Sequence, residues 1–419
     1  MTDQKITIYS LSASGNDSHA EGYGTIAYSA SSHAEGSGTK ALGHKSHAEG
    51  AYTEARGRSS HAEGEYNVAS GIGSHTEGYS TSASGDYSHA EGYAVSAEGV
   101  HSHAEGNWTK AIGGYSHAEG KNTTARGLGS HAEGTDTPDN DTDSVTQIFN
   151  FNDPYDYTEN PQKITITVTG PKAYNAGTHA EGSNTLAYGH SAHAEGSGTL
   201  AAGGRSHAEG SGTKALGHRA HAEGAYTEAH GRCAHSEGNR TVAFGEFTHT
   251  EGDNTFAGGS TAHAEGTNTT ARGYAAHIEG ASSVKYDSAA HGETADVIEQ
   301  KWRGLGSSGR FSLALGNASH VEGSDNLTFG INAHAEGEKT VAKGAKAHSE
   351  GNYTRAYGEN AHAEGYDTEA SGYAAHTEGT RTEATGESSH AEGSGTDAAV
   401  SLTIKRLTDP ANYNSLKEE

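Results

Sequence analysis

Histidine recurs every fourteen residues in this chain, and each copy is followed two positions later by glutamate. The first array runs His19, His33, His47, His61, His75, His89, His103, His117 and His131; a second, in the same period, runs from His179 to His291, and a third from His320 to His390. The arrays hold nine, nine and six copies, 24 in all. The unit reads S-H-A-E-G-x-x-T-x-A-x-G-x-x, as in Ser46-His47-Ala48-Glu49-Gly50-Ala51-Tyr52-Thr53-Glu54-Ala55-Arg56-Gly57. So long a fixed period makes each unit one element that buries its inner face only by stacking on its neighbours. Within the unit, two five-residue segments of alternating character each end in glycine. This predicts two short strands joined by tight turns, one coil per repeat, stacked at about 4.8 Å. Glycine is too frequent for a helix, and no 3.6-residue apolar stripe is present. All five prolines, Pro138, Pro154, Pro161, Pro171 and Pro410, lie outside the repeats, as a hydrogen-bonded ladder requires. The expected fold is all-β, a parallel β-roll or β-solenoid of about 24 fourteen-residue coils.

The arrays also divide the chain. A cap strand is expected over 1–18, coils over 19–134, an insertion over 135–176, coils over 177–293, a second insertion over 294–310, coils over 311–398, and a cap strand with tail over 399–419. In the first insertion, Lys163-Ile164-Thr165-Ile166-Thr167-Val168 alternates as a strand and echoes Lys5-Ile6-Thr7-Ile8, with Gln147-Ile148-Phe149-Asn150-Phe151 as its candidate hairpin partner. Bulkier Ile278 and Val321 flank the second. Insertions on a rigid shaft read either as binding loops or as braces. Residues 33–64 and 207–238 match nearly throughout, and Cys233 stands where Ser59 stands, which marks it as a tolerated serine replacement.

Alternation puts His and Glu on one face of the first strand and the intervening residue, most often Ala, on the other. Ala41, Ala55 and Ala69 point inward from the second strand in the same way. An interior lined by Ala buries too little apolar surface to offset the ordering of fourteen residues per coil, so a lone chain is expected to be marginal. The outward positions of the second strand vary freely (Lys40 and Leu42, Glu54 and Arg56, Val68 and Ser70, Val242 and Phe244), as on a solvated face. The His–Glu face does not vary, which implies burial against identical copies of the chain. Buried carboxylates need partners, and histidine is the invariant one. Protonating all 24 repeat histidines would bring the formal charge from -26 to -2. Pairs of this kind, alternating between chains along the fibre axis, predict His above its ordinary pKa and Glu below its own.

The phase S-x-A-x-G followed by T-x-A-x-G resembles the YadA-like (Hep/Hag) head repeats of trimeric autotransporter adhesins, over roughly residues 11–134, 177–293 and 311–398. The form Ser-His-Ala-Glu-Gly is similar to repeats in tail-fibre and appendage proteins of phages and prophages. The resemblance implies a left-handed parallel β-roll assembled as a homotrimer. It also implies an interface on His19 and Glu21, His33 and Glu35, His47 and Glu49, His61 and Glu63, His207 and Glu209, His221 and Glu223, His334 and Glu336, His362 and Glu364, and their equivalents. In the adhesin heads apolar residues hold these positions, so the packing here differs in kind.

The function expected from these features is a structural, non-enzymatic fibre or adhesin shaft without cofactor, extracellular or virion-borne, attaching to a host-surface glycan or protein. Twenty-four equivalent pairs leave no singular active site. The candidate receptor contacts are the turn aromatics Tyr52, Tyr66, Trp108 and Tyr226, with Trp302 in the second insertion. Asp139, Asp141 and Asp143 alternate as in a calcium loop but lack the following Gly and the distal Glu. An acidic balance argues against nucleic acid. No run of about 18 apolar residues is available for membrane insertion, and no signal peptide is visible behind Met1. Two alternatives stand beside the fibre: a homopolymeric filament or matrix protein joined through Lys5–Ser10 and Ser401–Leu407, and a metal-binding scaffold on the His rows.

Overall fold

Each position of the repeat has a physical task, seen in the coil of His47. Its long strand is His47–Ala51 and its short strand Glu54–Ala55. Ser46 closes the turn before the long strand by donating its hydroxyl to the Gly43 carbonyl at 2.6 Å. Ala48 and Ala55 are fully buried and form the interior. Thr53, also buried, donates to the Glu49 carbonyl at 3.0 Å. Gly50 has φ +103, and a Cβ there would lie 2.0 Å from the Gly64 carbonyl oxygen of the next coil. Lys45 and Tyr52 occupy the left-handed region, with φ 56 and 53, and so reverse the chain at the two turns. Parallel pairing sets every residue on its own equivalent: His33 on His47, Glu35 on Glu49, Lys40 on Glu54, Ala41 on Ala55.

The computed structural model describes residues 11–135, 145–151, 162–168, 170–282, 294–305 and 310–398. It is an all-β parallel solenoid of about 24 coils, divided into two units, Met1–Ala243 and Phe244–Glu419. In the first unit the ladder steps directly from His131 to His179 and from Ala125 to Ala173, so the insertion leaves the register intact. Within that insertion Val145–Phe151 pairs antiparallel with Gln162–Val168. In the second unit the ladder steps from His277 to His320 and from Ile278 to Val321. His277 and His320 are thus adjacent rungs, and His291, counted above as the ninth copy of the second array, lies outside the described residues. The segment after it lacks the second glycine-ended strand, and Thr294 caps a helix instead.

That helix, α1 (Ala295–Gly304), begins where the Thr294 hydroxyl accepts from the Val297 amide, with Asp296 in its first turn and Lys301 and Arg303 in its last. Its apolar side, Ile298 and Trp302, packs with Phe311 onto Leu313, Leu327 and Val341. These three hold the outward short-strand position of successive coils. Helix α1 thus covers an apolar stripe of the coils, and two expectations are corrected. Trp302 is no receptor contact: it is 2% exposed, its indole N–H donates to the Phe311 carbonyl at 3.0 Å, and the Arg310 guanidinium lies 4.2 Å from its ring. Nor is the outward short-strand face uniformly solvated, since Leu186 and Leu200 of the first unit are buried as well.

The polar edge of α1 is locked through Glu299. It accepts from Arg303 Nε at 2.9 Å, from the Tyr357 hydroxyl at 2.7 Å and from Lys343 Nζ at 3.0 Å. Burial pushes the Glu299 carboxyl up, and these three donors together hold it below the usual carboxylate range.

Two outcomes are expected. Gly50→Ala forces a Cβ into the next coil's carbonyl and should cost on the order of 4 kcal/mol in denaturant melts. Trp302→Ala should cost about 3–5 kcal/mol locally, read as faster amide exchange in α1 while the amides of the His47 coil stay protected.

Candidate functional site

The His–Glu face is a property of the register. A strand's alternation turns His47 and Glu49 outward together, and parallel pairing repeats them on every coil. Imidazoles therefore stack on imidazoles. Ring centroids along the row are 4.6–5.0 Å apart, most with nearly parallel planes, such as 3° between His103 and His117 and 1° between His221 and His235. Near the ends the stack loosens to an edge contact, 83° between His19 and His33 and 80° between His376 and His390. Most of the Glu side chains reach back to their own His, with Nε2 to Oε2 from 3.2 Å between His179 and Glu181 to 3.9 Å between His61 and Glu63.

All the expected interface residues lie on this face. Six pairs are half-buried: His33 with Glu35, His47 with Glu49, His61 with Glu63, His207 with Glu209, His221 with Glu223, and His334 with Glu336. His19 and Glu21, in an end coil, are largely open. His362 stacks between His348 and His376, and Glu364 pairs in register with Glu350. The carboxylates differ from the expectation of a buried face. Side chains of Glu21, Glu209 and Glu223 are 69%, 47% and 47% exposed, because within one chain an outward strand position has neighbours beside it and none above it.

Within a single chain the histidine shifts run opposite to those expected for pairs between chains. Burial first, and then the flanking imidazoles of His75 and His47, hold His61 below its ordinary value, although Glu63 and Glu49 pull the other way. The same causes lower His89, His193, His221, His334 and His362, and burial with His320 lowers His277. His263, between His249 and His277, falls to about 4. Partner pairing within one coil is outweighed by burial first and by the neighbouring imidazoles second. The signal was present in the sequence: a fourteen-residue period with parallel pairing places like on like.

The turn aromatics form a second ladder in the first unit. Tyr52 stacks on Tyr66 at 5.3 Å, Tyr66 meets Tyr79 edge-on at 5.7 Å, Tyr79 stacks on Tyr93 at 5.2 Å, and Tyr93 meets Trp108 at 6.2 Å. Tyr52, Tyr66, Trp108 and Tyr226 are all exposed. Gly38 and Gly212 make room for two of these rings, since a Cβ at either would meet Tyr52 or Tyr226 within 3 Å. Stacked rings cover one another's faces and present edges and hydroxyls outward. Asp139, Asp141 and Asp143 lie outside the described residues.

Because His263 and the other histidines just named disfavour protonation in the folded chain, the unfolded chain binds more protons between about pH 6.5, the ordinary value, and about 4, where His263 titrates. Stability contributed by neutral histidines is complete at pH 8 and is lost as pH falls through that window. Thermal melts from pH 8 to 4 should show a falling midpoint; a midpoint that rises on acidification would contradict the lowered values.

Comparison with known families finds one match, a model described as the YadA head domain repeat, in two copies over residues 236–262. No curated protein sequence matches the chain.

Proposed function

We propose that this chain, a β-solenoid of YadA-head-type repeats, is the shaft of a homotrimeric adhesive fibre that packs its His–Glu faces against one another. The repeats themselves are structural and adhesive in character. The observation that carries the trimer is the contrast between interior and face. The interior is filled almost entirely by Ala side chains at 0% exposure, while an unchanging row of His and Glu, 38% and 48% exposed at His47 and Glu49, runs along the outside. A core this thin needs further burial, and a surface left in water has no reason to repeat one pair in every coil. Three copies that close these faces on each other supply that burial, cover carboxylates such as Glu209 and Glu223, and remove half-covered imidazoles from solvent.

The fibre stands on a cell or virion surface and contacts its target through the variable turns, where Tyr52, Tyr66, Trp108 and Tyr226 are exposed. No helix among the described residues is long and apolar enough to cross a membrane.

Sedimentation equilibrium of the full chain should give three times 43.1 kDa, with discrete rods under negative stain. A folded monomer at micromolar concentration overturns the trimer, and indefinite fibres under the same conditions overturn the discrete shaft.

A further inference from the structure

The His row is not chemically uniform. In the second unit, three overlapping groups bring two imidazoles and one carboxylate to within 4.8 Å of one another: His320, Glu322 and His334; His334, Glu336 and His348; His348, Glu350 and His362. Among the described residues these are the groups that reach this closeness. The Nε2 atoms of His320, His334, His348 and His362 are buried and have no hydrogen-bond partner, so a ligand there would break no hydrogen bond.

We infer that the stretch from His320 to His362 is a binding site for zinc-class divalent ions, two per chain, each held by two imidazoles from adjacent coils and one carboxylate between them. Two nitrogens and a carboxylate oxygen are the donor set of an open zinc site, with a fourth position left for water or another group. Zinc–nitrogen bonds of about 2.0–2.1 Å bring tetrahedral donors to about 3.3 Å apart, so the donors must close from 4.8 Å. Partly exposed side chains make that closure by rotation about χ1 and χ2: His334 and Glu336 are 36% and 42% exposed. The first pair of rings is already inclined, His320 to His334 at 50° with centroids 4.7 Å apart. His334 and His348 each belong to two groups, so two ions are the most that bind together, one on His320, Glu322 and His334 and one on His348, Glu350 and His362. All six ligands come from one chain, on the same face that the proposed trimer packs between copies, so metal content and assembly are read separately.

The test uses the untagged full chain, washed with chelator, dialysed against zinc chloride at pH 7.5 and assayed for metal per chain by mass spectrometry. Two zinc ions are expected in the unaltered chain and one in His348→Gln. None is expected in the double variant His334→Gln with His348→Gln, whereas His103→Gln in the first unit should keep both. Cobalt in place of zinc should give the intense visible bands of a four-coordinate site. Far-UV circular dichroism confirms that each variant is folded, and sedimentation of the same samples reports assembly separately from metal content. Absence of retained zinc, retention by the folded double variant, or equal loss from His103→Gln overturns the site.

Discussion

Parallel in-register pairing sets each residue against its equivalent on the next coil, at the spacing of neighbouring strands, about 4.8 Å. Every position must therefore tolerate its own copy on both sides. Ala does so in the interior because it adds one methyl to a narrow space. Gly50 does so because only a residue without Cβ fits beneath the carbonyl of Gly64. Lys40 avoids the problem by alternating with Glu54, its neighbour in register, at 2.8 Å. Histidine tolerates itself as a stacking ring, and burial with the flanking imidazoles lowers the pKa of members such as His61 and His263.

The same constraint explains where the chain accepts change. An insertion is harmless if the residues on either side resume the register, as His131 with His179 and His277 with His320 show. Bulk in the interior is accommodated when it is matched: Ile278 pairs with Val321 across the second insertion. Apolar residues on the outward short-strand position are stable when something covers them. Leu313, Leu327 and Val341 are covered by Ile298 and Trp302 of α1, and Glu299 fastens that helix from the polar side.

The coil, its two strands, its inward Ala residues and the outward His–Glu pair were legible in the sequence because each is repeated, and repetition turns a weak local signal into a phase. Three features were not legible for the opposite reason or through a neglected neighbour. Trp302 occurs once, and its burial depends on Leu313, Leu327 and Val341 lining up fourteen residues apart, a stripe visible only after the register is imposed. His291 keeps the His-x-Glu spacing yet lacks a following T-x-A-x-G, so spacing alone overcounted the second array. The histidine pKa was read from pairs between chains, whereas within one chain burial and then the stacked neighbours lower it.

A row of neutral, stacked imidazoles beside carboxylates is stable only while little else competes for it, and this links the interface to the metal chemistry. Burial first and then the neighbouring imidazoles disfavour the protonated ring at positions such as His61 and His263. A shared divalent ion is different, since one positive centre then serves two rings and one carboxylate and turns like-on-like contact into common ligation. The register that makes a protonated row unfavourable is therefore the arrangement that offers paired imidazoles to a metal. Closer donors between His320 and His362 mark the segment where that alternative lies nearest to the folded geometry.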